Sequence, residues 1–270
     1  MTDDYVHGYS EREAERLHDQ AGTLRELLHF DTLFPPGSLV LEGGTGVGAT
    51  TALVVERNPE VRWVSLDASW ESLAEARAGL RSSPAGGRVR LCGGDLYRLP
   101  FADGTFDHVF ICFVLEHLTR PEAVLAELLR VLRRGGSLTA VEGDHGSCYF
   151  HPETEAARRA WQCLIRVQAD LGGDSCIGRR LYPLLAGAGL AGVRVSPRTV
   201  YCDPSRPEWM EGFVKKTIIP MVEGVRESAF ARGYIDRPTW EQGIADLHRT
   251  GEAPQGTFLY AFFKGIGLKA

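Results

Sequence analysis

The chain has 270 residues, of which 44% are hydrophobic and 24% are charged, and its formal net charge is −5. This length and composition predict a folded domain with a sizeable core, and they exclude a disulfide-stabilised miniprotein, a disordered chain and a fibrous repeat. The net negative charge argues against a broad cationic surface for nucleic acid or anionic lipid.

The sequence predicts neither a membrane segment nor a metal site. The first ten residues are polar, and the longest apolar run, residues 109–115, is too short to cross a bilayer. The six cysteines form no C-x-x-C pair and show no histidine spacing typical of zinc. We therefore expect a cytoplasmic protein with reduced thiols, no bound metal, and neither nucleic acid nor a membrane as its partner.

The first part of the chain alternates helices with short apolar strands. An amphipathic helix is predicted over residues 10–30, and a Pro-Pro-Gly sequence follows it. On this helix, Arg16 either lies on the solvated face or reaches a carboxylate of the bound ligand. The next predicted strands are 38–42, 61–66, 88–92, 107–113 and 137–142, and the predicted helices between them are 47–57, 69–81 and 121–132. This alternation predicts a doubly wound, Rossmann-like α/β fold with a parallel sheet.

After residue 142 the pattern changes, because a predicted helix at 152–171 has no strand behind it. A helix at 178–188, a strand at 193–201, a mostly helical stretch at 203–255 and a last strand at 257–267 follow. We interpret residues 1–270 as a single domain, with a core of 37–146, 178–201 and 256–268 and lid elements at 1–34, 147–177 and 203–255. The lid is expected over the carboxyl edge of the sheet, where doubly wound folds bind ligands.

A glycine-rich loop follows the first strand and begins with Glu42, Gly44 and Gly46. Glycines let the backbone turn sharply and approach a ligand, and the following helix offers free N–H groups. Asp67 closes the second strand, 23 residues beyond Gly44, where a carboxylate can accept both ribose hydroxyls of a nucleoside. The loop also fits a dinucleotide fingerprint ending at Ala49, so by itself it does not distinguish a nicotinamide cofactor from other nucleosides.

Further motifs follow the third and fourth strands. Asp95 lies where a carboxylate can accept the exocyclic amine of adenine, beside the apolar Leu96. Leu99-Pro100-Phe101 comes next, then Leu115-Glu116-His117-Leu118 after the fourth strand, and the glycine turn 130–136 before the fifth.

With these motifs in this order, residues 37–146 resemble the class I S-adenosylmethionine-dependent methyltransferases, in particular the small-molecule group of specialised metabolism. The resemblance implies a seven-stranded sheet with an antiparallel last strand, S-adenosyl-L-methionine as cofactor and S-adenosyl-L-homocysteine as product. It also implies the cofactor contacts: Glu42 and Gly44 near the methionine amino group, Asp67 on the ribose, Asp95 and Leu96 at the adenine, and Phe113 with His117 beneath the methionyl end.

The segment after the fifth strand is the candidate for acceptor chemistry. It places Asp144 and His145 between two glycines, and histidine titrates near neutral pH. We predict a catalytic pair in which His145 acts as general base. In the alternative interpretation, His145 bonds a lid backbone and Asp144 caps a turn. The aromatic residues predicted to line the acceptor pocket are Tyr9, Tyr149, Trp161 and Tyr201.

The sequence thus predicts methyl transfer to a nitrogen, carbon or oxygen of a small, heteroaromatic, indole-like natural product. An NAD(P)-dependent Rossmann oxidoreductase would share the glycine loop and Asp67, and a non-catalytic S-adenosylmethionine-binding partner subunit would share the whole cofactor site. Both stay open as alternatives. The expected partners are the small-molecule acceptor and, in a homodimer, a second copy of this chain.

Overall fold

A seven-stranded mixed sheet forms the centre of the computed structural model. The structure describes residues 11–270, and it describes the side chains of these residues except those of 11–15, 18 and 19. The strands are β1 Leu39–Gly43, β2 Arg62–Asp67, β3 Val89–Gly93, β4 Phe106–Cys112, β5 Leu132–His151, β6 Leu190–Cys202 and β7 Thr257–Lys269. Their order is β3-β2-β1-β4-β5-β7-β6, parallel from β3 to β5, with β7 antiparallel to both of its neighbours. The predicted fold class, including the antiparallel last strand, is confirmed.

Helices cover both faces of the sheet. They are α1 Glu11–His29, α2 Ala49–Arg57, α3 Trp70–Arg81, α4 Pro121–Val131, α5 Glu155–Asp170, α6 Leu181–Gly187, α7 Pro207–Trp209, α8 Ile219–Glu223, α9 Arg226–Ala231 and α10 Arg237–Glu252, with a π-helix at Met210–Ile218 between α7 and α8. Short 3₁₀ turns lie at Gly86–Arg88, Leu115–His117 and Ile177–Arg180.

Adjacent residues of a strand pack into two separate hydrophobic clusters, one on each face of the sheet. Val40 and Phe110 belong to the cluster that also contains Leu24 and Trp161, whereas Leu41 and Ile111 pack with the α4 side chains. Successive side chains of a strand point to opposite faces, so a strand buried on both sides contributes alternately to each. The short, uniformly apolar strands in the sequence reflect this two-sided burial.

β5 is longer than predicted. The sequence indicates a strand over 137–142 and a lid element beginning at 147, but residues 149–151 continue β5 and pair with β7. The register shifts between Asp144 and Tyr149, where five residue steps on β5 lie opposite two on β7, and the three extra residues bulge without ending the ladder. The first part of the predicted lid element 147–177 is therefore sheet, because a long antiparallel partner extends the strand.

The segment 203–255, predicted as a lid element, also contributes to the core. Phe213, Trp240 and Leu247 are buried in the same hydrophobic cluster as Val40 and Phe110 of the sheet. The segment thus completes the core on one face, and only part of it, the π-helix and α8, reaches the ligand-binding edge. Isolated π-helical turns occur frequently at functional sites.

Within residues 11–270, the helices are all too short or too polar to cross a membrane. In the same part of the chain, no group of three or more histidine, cysteine, aspartate or glutamate side chains is arranged to hold a metal ion.

Candidate functional site

A cavity of about 530 Å³ opens at the carboxyl edge of the sheet. The loops after β1, β2, β3 and β4 line one end of it, and α1, β5, β7 and the π-helix line the other. We call these the nucleoside end and the acceptor end, after the ligands that the sequence predicts for them. Both ends belong to one continuous cavity.

The glycine loop bounds the nucleoside end with left-handed backbone at Gly44 and Gly46, whose φ angles are 74° and 52°. A Cβ on Gly44 would lie 2.6 Å from Val114, so a side chain there is excluded by the protein itself. A Cβ on Gly46 would meet no heavy atom of the described residues within 4 Å. The space beside Gly46 is open cavity, which fits a bound nucleoside that approaches the backbone closely.

Asp67 is held in place by two backbone donors at the end of β2. Its Oδ2 accepts a hydrogen bond from the N–H of Gly46 at 2.8 Å, and its Oδ1 accepts one from Ser69 at 2.9 Å. A carboxylate has about four lone-pair sites, so acceptor capacity remains for two ribose hydroxyls. The side chain is half-buried and lines the cavity, as the ribose assignment requires.

Asp95 and Leu96 complete the nucleoside end. Asp95 is exposed to the cavity mouth, and its Oδ1 accepts a hydrogen bond from the N–H of Tyr97 at 2.8 Å, which fixes the carboxylate orientation. Leu96 packs so closely on Gly43 that a Cβ there would lie 2.8 Å from the leucine side chain. The pair offers one polar acceptor and one apolar surface, which suits an adenine ring.

Glu42 lines the cavity but is already well bonded. Its Oε2 accepts hydrogen bonds from Thr51 at 2.8 Å, Trp63 at 3.0 Å and Ser65 at 2.5 Å. Burial raises the pKa of this carboxyl. Glu42 therefore ties β1 to β2 and α2 in addition to bounding the ligand space.

Phe113 and His117 line the cavity where its two ends meet. Phe113 has a φ angle of 58°, a left-handed conformation that is rare for a bulky residue and often marks a functional loop. Its ring lies 5.5 Å from that of Phe262, so the turn aims it toward the acceptor end. Burial lowers the pKa of His117 to about 4, so this imidazole is neutral at physiological pH.

Two buried carboxyl groups lie beneath this junction. Burial, with the charge of Glu116 as second cause, raises the pKa of Glu142 to about 8. Burial likewise raises the pKa of Glu116 to about 7, against the opposing effect of Arg16. Glu142 Oε1 accepts hydrogen bonds from the N–H groups of Val114 and Leu115, which holds the loop after β4.

Of the predicted pair Asp144 and His145, the cavity is lined by His145 and not by Asp144. His145 lines the cavity and is 4% exposed, whereas the Asp144 carboxylate forms two hydrogen bonds with Arg179, at 2.7 and 2.8 Å, and accepts a third from the Gly146 N–H. Neighbouring residues of a strand point to opposite faces, so the extension of β5 separates the two side chains. These bonds favour the alternative interpretation, in which Asp144 caps a turn.

The predicted acceptor-binding aromatics also lie elsewhere. Tyr149 and Tyr201 are 63% and 47% exposed and do not line the cavity, because they occupy outward positions of β5 and β6. Trp161 is buried in the core, where it packs against His145 at a ring distance of 5.7 Å without reaching the cavity itself. Tyr9 lies outside the described residues.

The acceptor end is formed instead by side chains of α1, the π-helix, α8 and β7. They are Gln20 on α1, Phe213, Thr217 and Ile218 on the π-helix, Met221 on α8, and Tyr260 with Phe262 on β7. Arg16 does not lie on a solvated face, since it is 6% exposed, lines the cavity and donates to Gln20 Oε1 at 2.8 Å. One signal was available: Phe258, Tyr260 and Phe262 alternate along the last strand, which indicates a single inward face.

Known proteins resemble this chain in domain and fold. A family model described as a methyltransferase domain matches residues 41–140. An uncharacterised 37.1 kDa protein of a Streptomyces fradiae transposon is 31% identical over 203 residues, which cover 74% of this chain and 54% of that protein. Demethylmenaquinone methyltransferase of a Parafrankia species is 39% identical over 121 residues, which cover 40% of this chain and 47% of the relative. The chain thus spans about half the length of the curated relatives it matches.

One similar solved structure is phosphoethanolamine N-methyltransferase 2 of Haemonchus contortus, bound to S-adenosylhomocysteine. Its TM-score to this chain is 0.56 and its sequence identity is 15%. The superposition covers 92% of this chain and 52% of that chain. The likeness in fold agrees with the family match and with the shape of the nucleoside end. Residues 41–140 match a methyltransferase domain, and the fold is shared with a solved methyltransferase. The residues of the nucleoside end fit S-adenosyl-L-methionine, the cofactor that the sequence predicts.

Proposed function

We propose that this protein transfers a methyl group from S-adenosyl-L-methionine to a nitrogen, carbon or oxygen of a small, flat, heteroaromatic acceptor, with an indole-like ring as the first candidate. The supporting observation is that one cavity joins a polar nucleoside end to an acceptor end with aromatic and aliphatic walls. A flat apolar molecule can fill such walls, while a few polar groups fix its orientation.

The cofactor supplies a methyl group on a sulfonium, so the protein has to align the acceptor and exclude water. The three aromatic side chains Phe213, Tyr260 and Phe262 wall the acceptor end and are 3% exposed or less. Burial of this kind suits a dry site for a displacement reaction. Of the two residues predicted as catalytic, His145 alone lines the cavity, and we propose that it contacts the acceptor.

The class of acceptor follows from the charge and size of the site. A net charge of −5 gives no support for a nucleic acid acceptor, and a cavity of about 530 Å³ suits a small molecule. The Parafrankia relative is named for demethylmenaquinone, but its match covers 40% of this chain. We therefore take from it the type of reaction and leave the acceptor to experiment.

The first experiment is isothermal titration of the full chain with S-adenosylhomocysteine and, separately, with NADH. We expect binding of the former and none of the latter, because residues 41–140 match a methyltransferase domain and the motifs after the third and fourth strands are not those of a nicotinamide oxidoreductase. The protein is then incubated with S-adenosylmethionine and a set of indoles and related heteroaromatics, and the products are screened for one added methyl mass. Binding of NADH without binding of S-adenosylhomocysteine would refute the proposal.

A further inference from the structure

His145 forms a close hydrogen bond with Tyr260 at the acceptor end. The His145 Nδ1 and Tyr260 Oη atoms are 2.6 Å apart, and the two side chains are 4% and 1% exposed. Gly143 makes room for this contact, since a Cβ there would lie 2.6 Å from the tyrosine hydroxyl. The pair joins β5 to β7 through side chains that both line the cavity.

The imidazole is held in one orientation. The backbone N–H of His145 donates to the Ser175 carbonyl at 2.8 Å, and its carbonyl accepts from Trp161 Nε1 at 2.9 Å. The Trp161 ring packs against the imidazole, with the ring centres 5.7 Å apart. Among the side chains and backbone groups that the structure describes, the imidazole bonds to Tyr260 alone, through Nδ1. Because His145 lines the cavity, Nε2 is the imidazole nitrogen left for a bound acceptor.

The buried Tyr260 hydroxyl determines which nitrogen of the His145 imidazole carries the proton. In the described part of the chain, Nδ1 of His145 is the one hydrogen-bond partner of the Tyr260 hydroxyl. Burial raises the pKa of Tyr260, and burial lowers the pKa of His145 to about 3, so both groups are neutral. A buried hydroxyl proton without an acceptor costs about 1–3 kcal/mol. The O–H therefore donates to Nδ1, and the neutral imidazole carries its proton on Nε2.

We propose that Tyr260 fixes His145 as the Nε2–H tautomer, and that this N–H binds a carbonyl or enolate oxygen on the acceptor. The inference rests on the proposed methyltransferase function and specifies the acceptor as a conjugated ring compound with such an oxygen. It also changes the role of His145, because a nitrogen that already carries a proton cannot remove one. Tyr260 is a positioning residue, and His145 is a hydrogen-bond donor to the acceptor instead of a general base.

The tautomer is tested directly by ¹⁵N nuclear magnetic resonance. The full chain is labelled at histidine and saturated with S-adenosylhomocysteine, and the His145 signals are identified by their loss in His145→Gln. We expect a proton on Nε2 and none on Nδ1. In Tyr260→Phe, which keeps the ring and removes the donor, we expect both tautomers in comparable amounts. A proton on Nδ1 in the parent, or an unchanged tautomer in Tyr260→Phe, would overturn the inference.

A matched tyrosine variant controls for the loss of a hydroxyl as such. Tyr234 donates to Asp170 at 2.6 Å, and it does not line the cavity. Tyr234→Phe should leave the His145 signals unchanged, and a shift equal to that of Tyr260→Phe would count against a specific role for Tyr260. This readout does not depend on turnover, so the tautomer can be right even if no methyl transfer is found.

The acceptor class is tested by binding of two flat bicyclic probes to the protein saturated with S-adenosylhomocysteine. 4-Quinolone carries a carbonyl oxygen, and indole does not. We expect 4-quinolone to bind at least about tenfold more tightly, the effect of one good hydrogen bond, and to lose this advantage in His145→Ala. Equal binding, binding of neither probe, or a preference that survives in His145→Ala would contradict the acceptor class. Failure of S-adenosylhomocysteine to bind would instead contradict the proposed function.

Discussion

The two ends of the cavity are built in different ways. At the nucleoside end, Asp67 is the last residue of a parallel strand, and Gly46 and Asp95 lie within three residues of the ends of two others, so all three lie at one edge of the sheet. At the acceptor end, His145 and Tyr260 come from strands of opposite direction, 115 residues apart in sequence. The first end is a series of local turns, and the second is a tertiary assembly. Substitutions at the two ends should therefore affect different measurements.

The largest effect is expected from Asp67→Ala. The substitution removes the proposed acceptor of the ribose hydroxyls and leaves the Gly46 and Ser69 N–H groups without their partner. We expect affinity for S-adenosylhomocysteine to fall by roughly 10²- to 10³-fold, as measured by calorimetry. Asp203→Ala, which removes an exposed turn carboxylate, is the control and should bind like the parent. Retained affinity in Asp67→Ala would show that the nucleoside end has been assigned wrongly.

The next effect concerns turnover alone. His145→Ala should leave affinity for S-adenosylhomocysteine within about threefold, while methyl transfer to an acceptor used by the parent falls by roughly 10- to 100-fold, the value of one hydrogen bond in a buried site. Because burial, aided by the charges of His117 and Arg16, lowers the pKa of His145 to about 3, the parent should show no histidine ionisation between pH 5 and 8 that the variant lacks. An inflection near pH 6.5 that disappears in His145→Ala would restore the role of general base.

A smaller effect is expected at the junction of the two ends, in the pH dependence of the free energy of unfolding. Glu142 has a pKa of about 8 in the folded protein and an ordinary value of 4.5, so the folded state binds more protons between these values. The free energy of unfolding should therefore fall as the pH rises from 5 to 8. In Glu142→Gln the amide oxygen can still accept from Val114 and Leu115, and we expect this fall to shrink by roughly 1–2 kcal/mol.

Urea denaturation at pH 5 and pH 8 measures this difference for Glu142→Gln. Glu227→Gln is the matched control, because the Glu227 side chain is 83% exposed and should not alter the pH dependence. An identical pH dependence in the parent and in Glu142→Gln would mean that the Glu142 carboxyl is ionised throughout this range.

The smallest effect is expected at Tyr149 and Tyr201, which the sequence predicted as acceptor contacts but which do not line the cavity. Tyr149→Ala and Tyr201→Ala truncate exposed rings outside the cavity. We expect turnover and affinity for S-adenosylhomocysteine to equal those of the parent, with stability changed by no more than about 0.5 kcal/mol. A selective loss of turnover in either variant would mean that the acceptor end extends beyond the cavity.

The sequence by itself determined the strands of the sheet and the nucleoside end, and the family resemblance implied that the last strand is antiparallel. Buried strands have a short apolar signature, and parallel strands must present their carboxyl ends at one edge. A glycine turn and a carboxylate at each strand end can thus be placed without knowledge of how distant elements pack. For this reason Gly46, Asp67 and Asp95 were predicted and found on one cavity.

The tertiary structure decided the acceptor end. The continuation of β5 along β7 turned Asp144 toward Arg179 and left His145 facing the cavity, an outcome fixed by strand pairing that no local pattern encodes. The burial of Arg16 depends on the π-helix packing over α1, and the partner of His145 comes from the last strand of the chain. A shift of one residue in strand register reverses the direction of each side chain. The strand pairing therefore decides which side chains face the acceptor end.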